Sequence, residues 1–193
     1  MFLSSGENLP IPREIIDKYS LTAGVSLPEE KYHRIKHEAD LMRAENYLLY
    51  LLSRRSYTYG HLALKLAEKG FEKILINGLL NDFTRRGLID DRAYARQMTE
   101  SILRRKPAGR NFIIARLRAG YIPRQIAEAV VDEILEDVDE YEIAVKLMRL
   151  RKAYFSKFDL ETARRKAYNY LSRRSIGYRA AQMAFEKIMK EDD

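Results

Sequence analysis

The 193-residue chain contains no cysteine, only five prolines and only nine glycines. Without cysteine it can form no disulfide, no cysteine-ligated zinc site and no thiolate nucleophile, which fits the reducing cytosol. No apolar run reaches the 18 residues of a membrane-spanning helix, and the N-terminus lacks the basic start and apolar core of a secretion signal. The sequence therefore predicts a cytoplasmic protein with no membrane partner.

The sequence also lacks motifs for catalysis. It contains no GxxxxGK phosphate loop, no GxGxxG dinucleotide turn and no GxSxG nucleophile elbow. His33 and His37 could share one helix face, but no third metal ligand is indicated. Asp90 and Asp91 stand at the start of a predicted helix, where carboxylates favour N-capping over metal binding. We expect no enzymatic activity, no metal and no cofactor.

Apolar residues recur every three or four positions after about residue 36, as in Ile76, Leu79, Leu80 and Phe83. This spacing is typical of amphipathic helices that pack on one another. Glycine, proline and aspartate separate nine predicted helices, near residues 36–54, 58–69, 72–86, 90–105, 108–119, 123–136, 140–155, 159–173 and 176–190. Before them we expect a short strand and turn at 2–11, a helix at 12–21 and a connector at 26–35.

A doubled arginine occurs three times, in LSRRSYTY (52–59), ILRRKPAG (102–109) and LSRRSIGY (171–178). Shifting the chain by 50 positions places Leu52, Gly70 and Phe71 on Ile102, Gly120 and Tyr121, although the second helices slip by one residue. The third copy aligns a second helix with a first helix. The pattern predicts an all-α tandem array of three three-helix repeats at 36–88, 89–137 and 138–193, after an N-terminal extension at 1–35.

Basic residues outnumber acidic ones by 35 to 28, and the excess is concentrated in the middle of the chain. Residues 54–118 hold fifteen Lys and Arg but six acids, whereas residues 128–142 hold eight acids and no basic residue. The positive segment favours an anionic partner, either nucleic acid or an acidic protein surface. The acidic segment is interpreted either as a solvated helix end and connector or as a strip that orients a partner.

Cations at helix C-termini are favoured by the helix dipole, which alone explains one basic residue at each end. Doubled arginines followed by further cations exceed that need, so we predict a binding surface. Its residues are Arg54, Arg55, Lys65, Lys69, Arg104, Arg105, Lys106, Arg110, Arg116 and Arg118. The tyrosines at apolar-periodic positions are interpreted as core residues with hydroxyls at the rim, rather than as base-stacking platforms. These are Tyr47, Tyr50, Tyr94, Tyr168 and Tyr170.

Four ordered blocks resemble the RecX family of bacterial regulatory proteins: SYTYGHLALKLAEKGF (56–71), GLIDDRAYARQ (87–97), RRKPAGRNFIIARLRAGY (104–121) and YLSRRSIGYRAAQMAF (170–185). Ser175 stands where glycine is common in that family. The resemblance implies an elongated, curved three-repeat molecule without catalytic residues. It also implies binding in the groove of the RecA and DNA filament and suppression of the ATPase, strand-exchange and co-protease activities of RecA.

The expected partners are therefore the RecA filament and single- or double-stranded DNA, contacted directly or through the filament, by a monomer. One alternative is a sequence-nonspecific DNA-binding helical-repeat protein that acts without RecA, whose affinity would fall steeply with salt. A second alternative is a helix-turn-helix regulator, although no single recognition helix and no dimer element are indicated.

Overall fold

The structure is a computed structural model that describes residues 9–190, and every regular element in this range is an α-helix. The helices are α1 (Arg13–Tyr19), α2 (Glu29–Leu52), α3 (Tyr59–Glu68), α4 (Lys73–Arg85), α5 (Asp91–Arg105), α6 (Arg110–Ala119), α7 (Arg124–Leu135), α8 (Glu140–Arg149), α9 (Lys152–Phe155), α10 (Leu160–Ser172) and α11 (Tyr178–Lys190). The all-α fold predicted from the sequence is confirmed.

The described chain divides into two compact units, one up to Asp90 and one from Asp91 onward. In the N-terminal unit, α4 contacts both α2 and α3, and α1 packs on α2. In the C-terminal unit, α5, α6 and α7 contact one another, while α11 packs on α8 and α10. The predicted division into three repeats stays a prediction.

Each helix group encloses its own apolar core. The α2–α4 core holds the predicted stripe of Ile76, Leu79, Leu80 and Phe83. A second core lies among α5, α6 and α7, a third among α8 to α11, and a small one joins α1 to the start of α2. The helical spacing in the sequence therefore identified the inward faces correctly, because a narrow apolar stripe can be buried only against neighbouring helices.

Two segments differ from the sequence-based prediction. The supposed connector at 26–35 is largely helical, because α2 begins at Glu29. Its first turn carries Glu29 and Glu30, which complement the helix dipole, and Glu29 lies 3.7 Å from His33 one turn later. The predicted helix 140–155 is interrupted after Arg149 and resumes as the short α9. Most of the strand and turn predicted at 2–11 lies outside the described residues.

Five of the described helices end in the same backbone arrangement, with a residue of positive φ after the last turn. These residues are Ser20 (φ +49°), Gly70 (+83°), Gly87 (+71°), Tyr121 (+65°) and Ser175 (+57°). In each case the next amide donates a hydrogen bond five residues back, as in a Schellman cap. The bonds run from Leu21 to Ile16 (3.0 Å), from Phe71 to Leu66 (3.3 Å), from Leu88 to Phe83 (2.9 Å), from Ile122 to Leu117 (3.1 Å) and from Ile176 to Leu171 (3.1 Å).

The shared cap corrects the residue pairing taken from the 50-position shift. Gly70 corresponds to Tyr121 and not to Gly120, which has φ −88°. The one-residue slip noted in the sequence is the source of this difference. The third doubled arginine follows α10, which the sequence predicts as the second helix of its repeat. The first doubled arginine follows α2, which is the first helix of its predicted repeat. A left-handed residue with a side chain costs roughly 1–2 kcal/mol, which explains a preference for glycine at position 175.

Candidate functional site

Tyrosine rings and cations alternate on the N-terminal unit, where α2 ends and α3 begins. We call this the α2–α3 cluster; it comprises Tyr47, Tyr50, Arg54, Arg55, Tyr57, Lys65 and Lys69. The guanidinium of Arg54 lies 4.9 Å from the ring centre of Tyr50, and that of Arg55 lies 4.5 Å from Tyr57. The structure therefore places each of the four cations predicted in this unit beside a tyrosine ring, and Arg55 and Lys65 share the ring of Tyr57.

Three cations of the α2–α3 cluster, Arg54, Lys65 and Lys69, contact rings rather than carboxylates in the described part of the chain. Lys65 lies 5.9 Å from the ring centre of Tyr57, and Lys69 lies 5.4 Å from that of Tyr47. In the described part of the chain, Arg54, Lys65 and Lys69 form no ion pair with an acid. A ring orders a cation without neutralising it, so these charges remain available to an anionic ligand.

Tyr50 contradicts its predicted place in the core, because 52% of the residue is exposed. Ala44, Leu48 and Leu51 form the buried stripe of α2, and Tyr50 falls outside it beneath Arg54. The other four tyrosines are partly buried and pack on the cores as expected; they are Tyr47, Tyr94, Tyr168 and Tyr170.

The pKa of His61 is sensitive to the positive charge of the α2–α3 cluster. Its ring contacts that of Tyr57 edge-on, with 5.4 Å between centres. Partial burial lowers the pKa of His61, and the nearby charges of Lys65 and Arg55 lower this pKa further. Glu68 acts in the opposite direction but more weakly. Protonation of the His61 imidazole is therefore less favourable than that of an exposed histidine.

We expect the substitution Lys65→Ala to raise the pKa of His61, because it removes a positive charge that disfavours protonation of the ring. NMR titration of the imidazole carbon-bound protons measures this pKa directly. Lys69→Ala is the matched control, since it removes the same charge one turn farther along and Lys69 does not contribute to the shift. Equal pKa values in the wild type and in Lys65→Ala would contradict the assigned cause.

The C-terminal unit carries the remaining predicted cations. Arg104 and Arg105 end α5, Lys106 follows them, and all three are exposed. Arg116 and Arg118 lie exposed in the last turn of α6. Among residues 9–190, none of these five side chains forms an ion pair with an acid. They form a second set of charges without internal partners.

Arg110 differs from the other predicted cations, because it is already paired. Its Nε and Nη2 donate hydrogen bonds of 2.6 and 2.8 Å to the two carboxylate oxygens of Asp132 on α7. Hydrogen bonding from Arg110 lowers the pKa of the Asp132 carboxyl. The pair links the first residue of α6 to α7, so replacement of Arg110 changes a helix contact as well as a surface charge.

The acidic segment 128–142 is used within the protein. Glu133 accepts hydrogen bonds from Arg96 and from Arg92 (2.7 Å), and hydrogen bonding from Arg96 is the main reason that the pKa of Glu133 is lowered. Glu128 pairs with Arg124 on the same helix at 2.8 Å. The sequence suggested that this segment is either a solvated connector or a strip that orients a partner, and neither interpretation included the pairs of Glu133 with Arg92 and Arg96. Partners that are 41 and 37 residues apart leave no local pattern in the sequence.

The third doubled arginine lies at a close backbone contact. Arg174 donates hydrogen bonds from Nη1 to the carbonyls of Lys106 (3.1 Å) and Pro107 (3.2 Å), and its own carbonyl accepts one from the amide of Gly109 (2.8 Å). We call this contact between residues 106–109 and 174–175 the glycine seam. It places Arg174 beside the second cationic segment, although the two are 67 residues apart.

Sequence reasoning missed a third set of cations, in α8 to α11. Residues 143–190 contain thirteen Lys and Arg against three acids, a larger excess than in residues 54–118. A count over this window would have found it. Several of these cations lie over aromatic rings: Arg151 over Tyr170 (5.0 Å), Arg174 over Tyr170 (5.7 Å) and Lys166 over Phe158 (4.6 Å).

Within residues 9–190, no group of three or more His, Asp and Glu side chains is placed to hold a metal ion. Asp90 and Asp91 lie where α5 begins, as the sequence predicts. None of the helices in the same range is long and apolar enough to cross a bilayer.

Comparisons with known proteins point to one family. No family model matches the chain. The regulatory protein RecX of Chlorobium limicola is 33% identical over 123 residues, which cover 64% of this chain and 74% of that protein. The RecX of Syntrophotalea carbinolica is 31% identical over 147 residues, which cover 74% of this chain and 92% of that protein.

Solved structures support the same relationship at the level of the fold. A crystal structure of regulatory protein RecX superimposes with a TM-score of 0.72 at 20% identity and covers 96% of this chain. RecX from Lactobacillus salivarius gives a TM-score of 0.67 at 20% identity over 77% of the chain. The relatives are named as regulatory proteins and not as enzymes, in agreement with the expected absence of catalysis. The chain therefore belongs to the RecX family of regulatory proteins.

Proposed function

We propose that this protein is a negative regulator of the RecA recombinase, which binds the filament of RecA on DNA and lowers its ATPase, strand-exchange and co-protease activities. Membership in the RecX family is the observation that carries the proposal. In this role the protein modulates recombination and DNA repair, and it acts by binding alone.

The unpaired cations supply the contact surface in this proposal. Both units carry them: Arg54, Lys65 and Lys69 in one, and Arg104 to Lys106 with Arg116 and Arg118 in the other. A filament of protein and DNA offers phosphates and acidic side chains at regular intervals, so cations on two units can engage it at more than one point. Binding at several points increases overall affinity without any new type of contact.

The proposed mode of action follows from this multiple attachment. A protein attached at two points of a filament opposes movement between those points, and this opposition would slow ATP turnover by the filament. The cations also speed encounter with a polyanionic filament, and this effect weakens as salt increases.

The test is the DNA-dependent ATPase of purified RecA, measured with excess DNA and with substoichiometric to equimolar amounts of this protein. We expect the rate to fall as the protein is added, and to fall less at higher salt. An unchanged rate over the whole range would contradict the proposal. Loss of inhibition on addition of still more DNA would instead support the alternative of a DNA-binding protein that acts without RecA.

A further inference from the structure

Six side chains form a continuous aromatic and basic surface where α9 meets α10. We call it the α9–α10 cluster; it comprises Arg151, Tyr154, Phe158, Lys166, Tyr170 and Arg174. The ring centre of Tyr154 lies 5.4 Å from that of Phe158, and Arg151 lies 5.9 Å from Tyr154 and 5.0 Å from Tyr170. Each member thus touches another, although they are spread over 24 positions of sequence.

The charges of this cluster have no acidic partner in the described part of the chain. Within residues 9–190, Arg151, Lys166 and Arg174 form no ion pair, and the hydrogen bonds of the Arg174 side chain go to the neutral carbonyls of Lys106 and Pro107. Asp159 is the acid nearest to Arg151 along the chain, and its carboxylate accepts a hydrogen bond from the Thr162 amide as the cap of α10. The three positive charges are therefore not neutralised within the described protein.

The aromatic members fall into two roles. Tyr170 is partly buried, packs on the core of α8 to α11, and supports two guanidinium groups from its ring. Tyr154 is 43% exposed and is held by edge-on contacts with Phe155 and Phe158. An exposed ring fixed at its edge, beside unpaired cations, is the arrangement that stacks a nucleic-acid base while cations hold the adjacent phosphates.

We propose that the α9–α10 cluster binds single-stranded nucleic acid directly, with a base stacked on Tyr154 and phosphates held by Arg151 and Lys166. This activity goes beyond the regulation of RecA and requires no recombinase. A duplex hides its bases inside the stack, so it can use the cations but not the ring. The cluster should therefore prefer single strands to duplexes of equal length.

The experiment measures fluorescence anisotropy of a labelled oligothymidylate and of a duplex of equal length, over a series of salt concentrations, without RecA. Arg151→Ala/Lys166→Ala should weaken single-strand binding about tenfold or more and reduce the slope of log affinity against log salt by about one to two. Lys157→Ala/Arg165→Ala is the matched control. It removes two exposed charges from the same region, and neither side chain contacts a ring or an acid within residues 9–190. Its effect should stay below about threefold.

A second variant tests the contribution of the Tyr154 ring alone. Tyr154→Leu keeps an apolar side chain in place, so it should weaken single-strand binding at least about fivefold while changing duplex binding little. Photocrosslinking of bromodeoxyuridine oligonucleotides to the wild-type protein gives an independent readout, and the crosslinked peptides should contain Tyr154 or Phe158.

Four results would overturn the proposal. They are no single-strand binding by the wild type at low salt, equal losses in the two double variants, unchanged binding by Tyr154→Leu, and crosslinks confined to other helices. Polyglutamate that binds with the same dependence on Arg151 and Lys166 would assign the cluster to an acidic protein surface and would also overturn it. Because RecA is absent from these assays, their failure leaves the proposed regulation of RecA unaffected.

Discussion

Gly109→Ala is expected to destabilise the C-terminal unit by about 3 kcal/mol, near the upper end of the cost of overpacking a closed site. A Cβ at this position would lie 2.1 Å from the carbonyl oxygen of Ser175 and 2.9 Å from its carbonyl carbon. Both atoms belong to the backbone, so no side-chain rotation can relieve the overlap. The glycine seam must open, and the hydrogen bond from the Gly109 amide to Arg174 lengthens with it.

The measurement is thermal unfolding followed by circular dichroism, in which the variant should melt roughly 10 °C below the wild type, given about 2–4 °C per kcal/mol for a chain of this size. Gly78→Ala is the control, because Gly78 lies within α4 and a Cβ there would meet nothing within 4 Å. That change should be neutral or stabilise by up to about 1 kcal/mol, since alanine favours the helix. Equal melting temperatures for Gly109→Ala and the wild type would contradict this prediction, because they would show that the glycine seam can open without loss of stability.

The second large effect concerns binding. Arg104→Ala/Arg105→Ala/Lys106→Ala should weaken binding to the RecA and DNA filament by a factor of about 30 or more, because three neighbouring unpaired charges are lost and each phosphate contact adds to the salt-dependent affinity. Helicity should be retained, since alanine is the strongest helix former and the three side chains are exposed. Arg110 is left unchanged because its pair with Asp132 joins α6 to α7.

The control for this variant removes the same total charge from cations that are already paired. Arg85 and Arg86 both contact Asp82, at 3.2 and 3.3 Å, and Arg124 contacts Glu128. Their triple replacement by alanine should weaken filament binding by less than about threefold, as exposed ion pairs contribute little. Equal losses in the two triple variants, read by anisotropy of a labelled filament at fixed salt, would mean that net charge alone governs binding.

The sequence predicted most of the fold, because helix packing leaves a local pattern. The stripe from Ile76 to Phe83 and the break before Asp91 are visible within one or two turns of chain. The start of α2 was missed, since Glu29 to Arg34 is polar all round and is stabilised by its dipole and by i,i+4 pairs rather than by an apolar face.

The candidate site was less predictable, because it depends on distant partners. Arg104 and Arg110 look alike in sequence, and only the position of Asp132 on another helix separates an unpaired charge from a paired one. Arg55 and Arg174 occupy the same position in the two LSRRS segments, yet Arg55 lies over the ring of Tyr57 and Arg174 donates hydrogen bonds to the carbonyls of Lys106 and Pro107. Charge density could be counted from the sequence, but pairing could not.

The caps at Gly70, Tyr121 and Ser175 bear on how a protein of this kind can diverge. At each of these caps, selection acts on the backbone angles of the cap residue and on a buried Leu, which lies five residues before the apolar residue that follows the cap. The identity of the cap residue itself can vary, because a left-handed residue with a side chain costs only about 1–2 kcal/mol. The sequences of helices that share such a cap therefore diverge faster than their backbone geometry. Ancestry within the chain is therefore best traced by comparing dihedral angles along it, residue by residue, instead of aligning its doubled arginines.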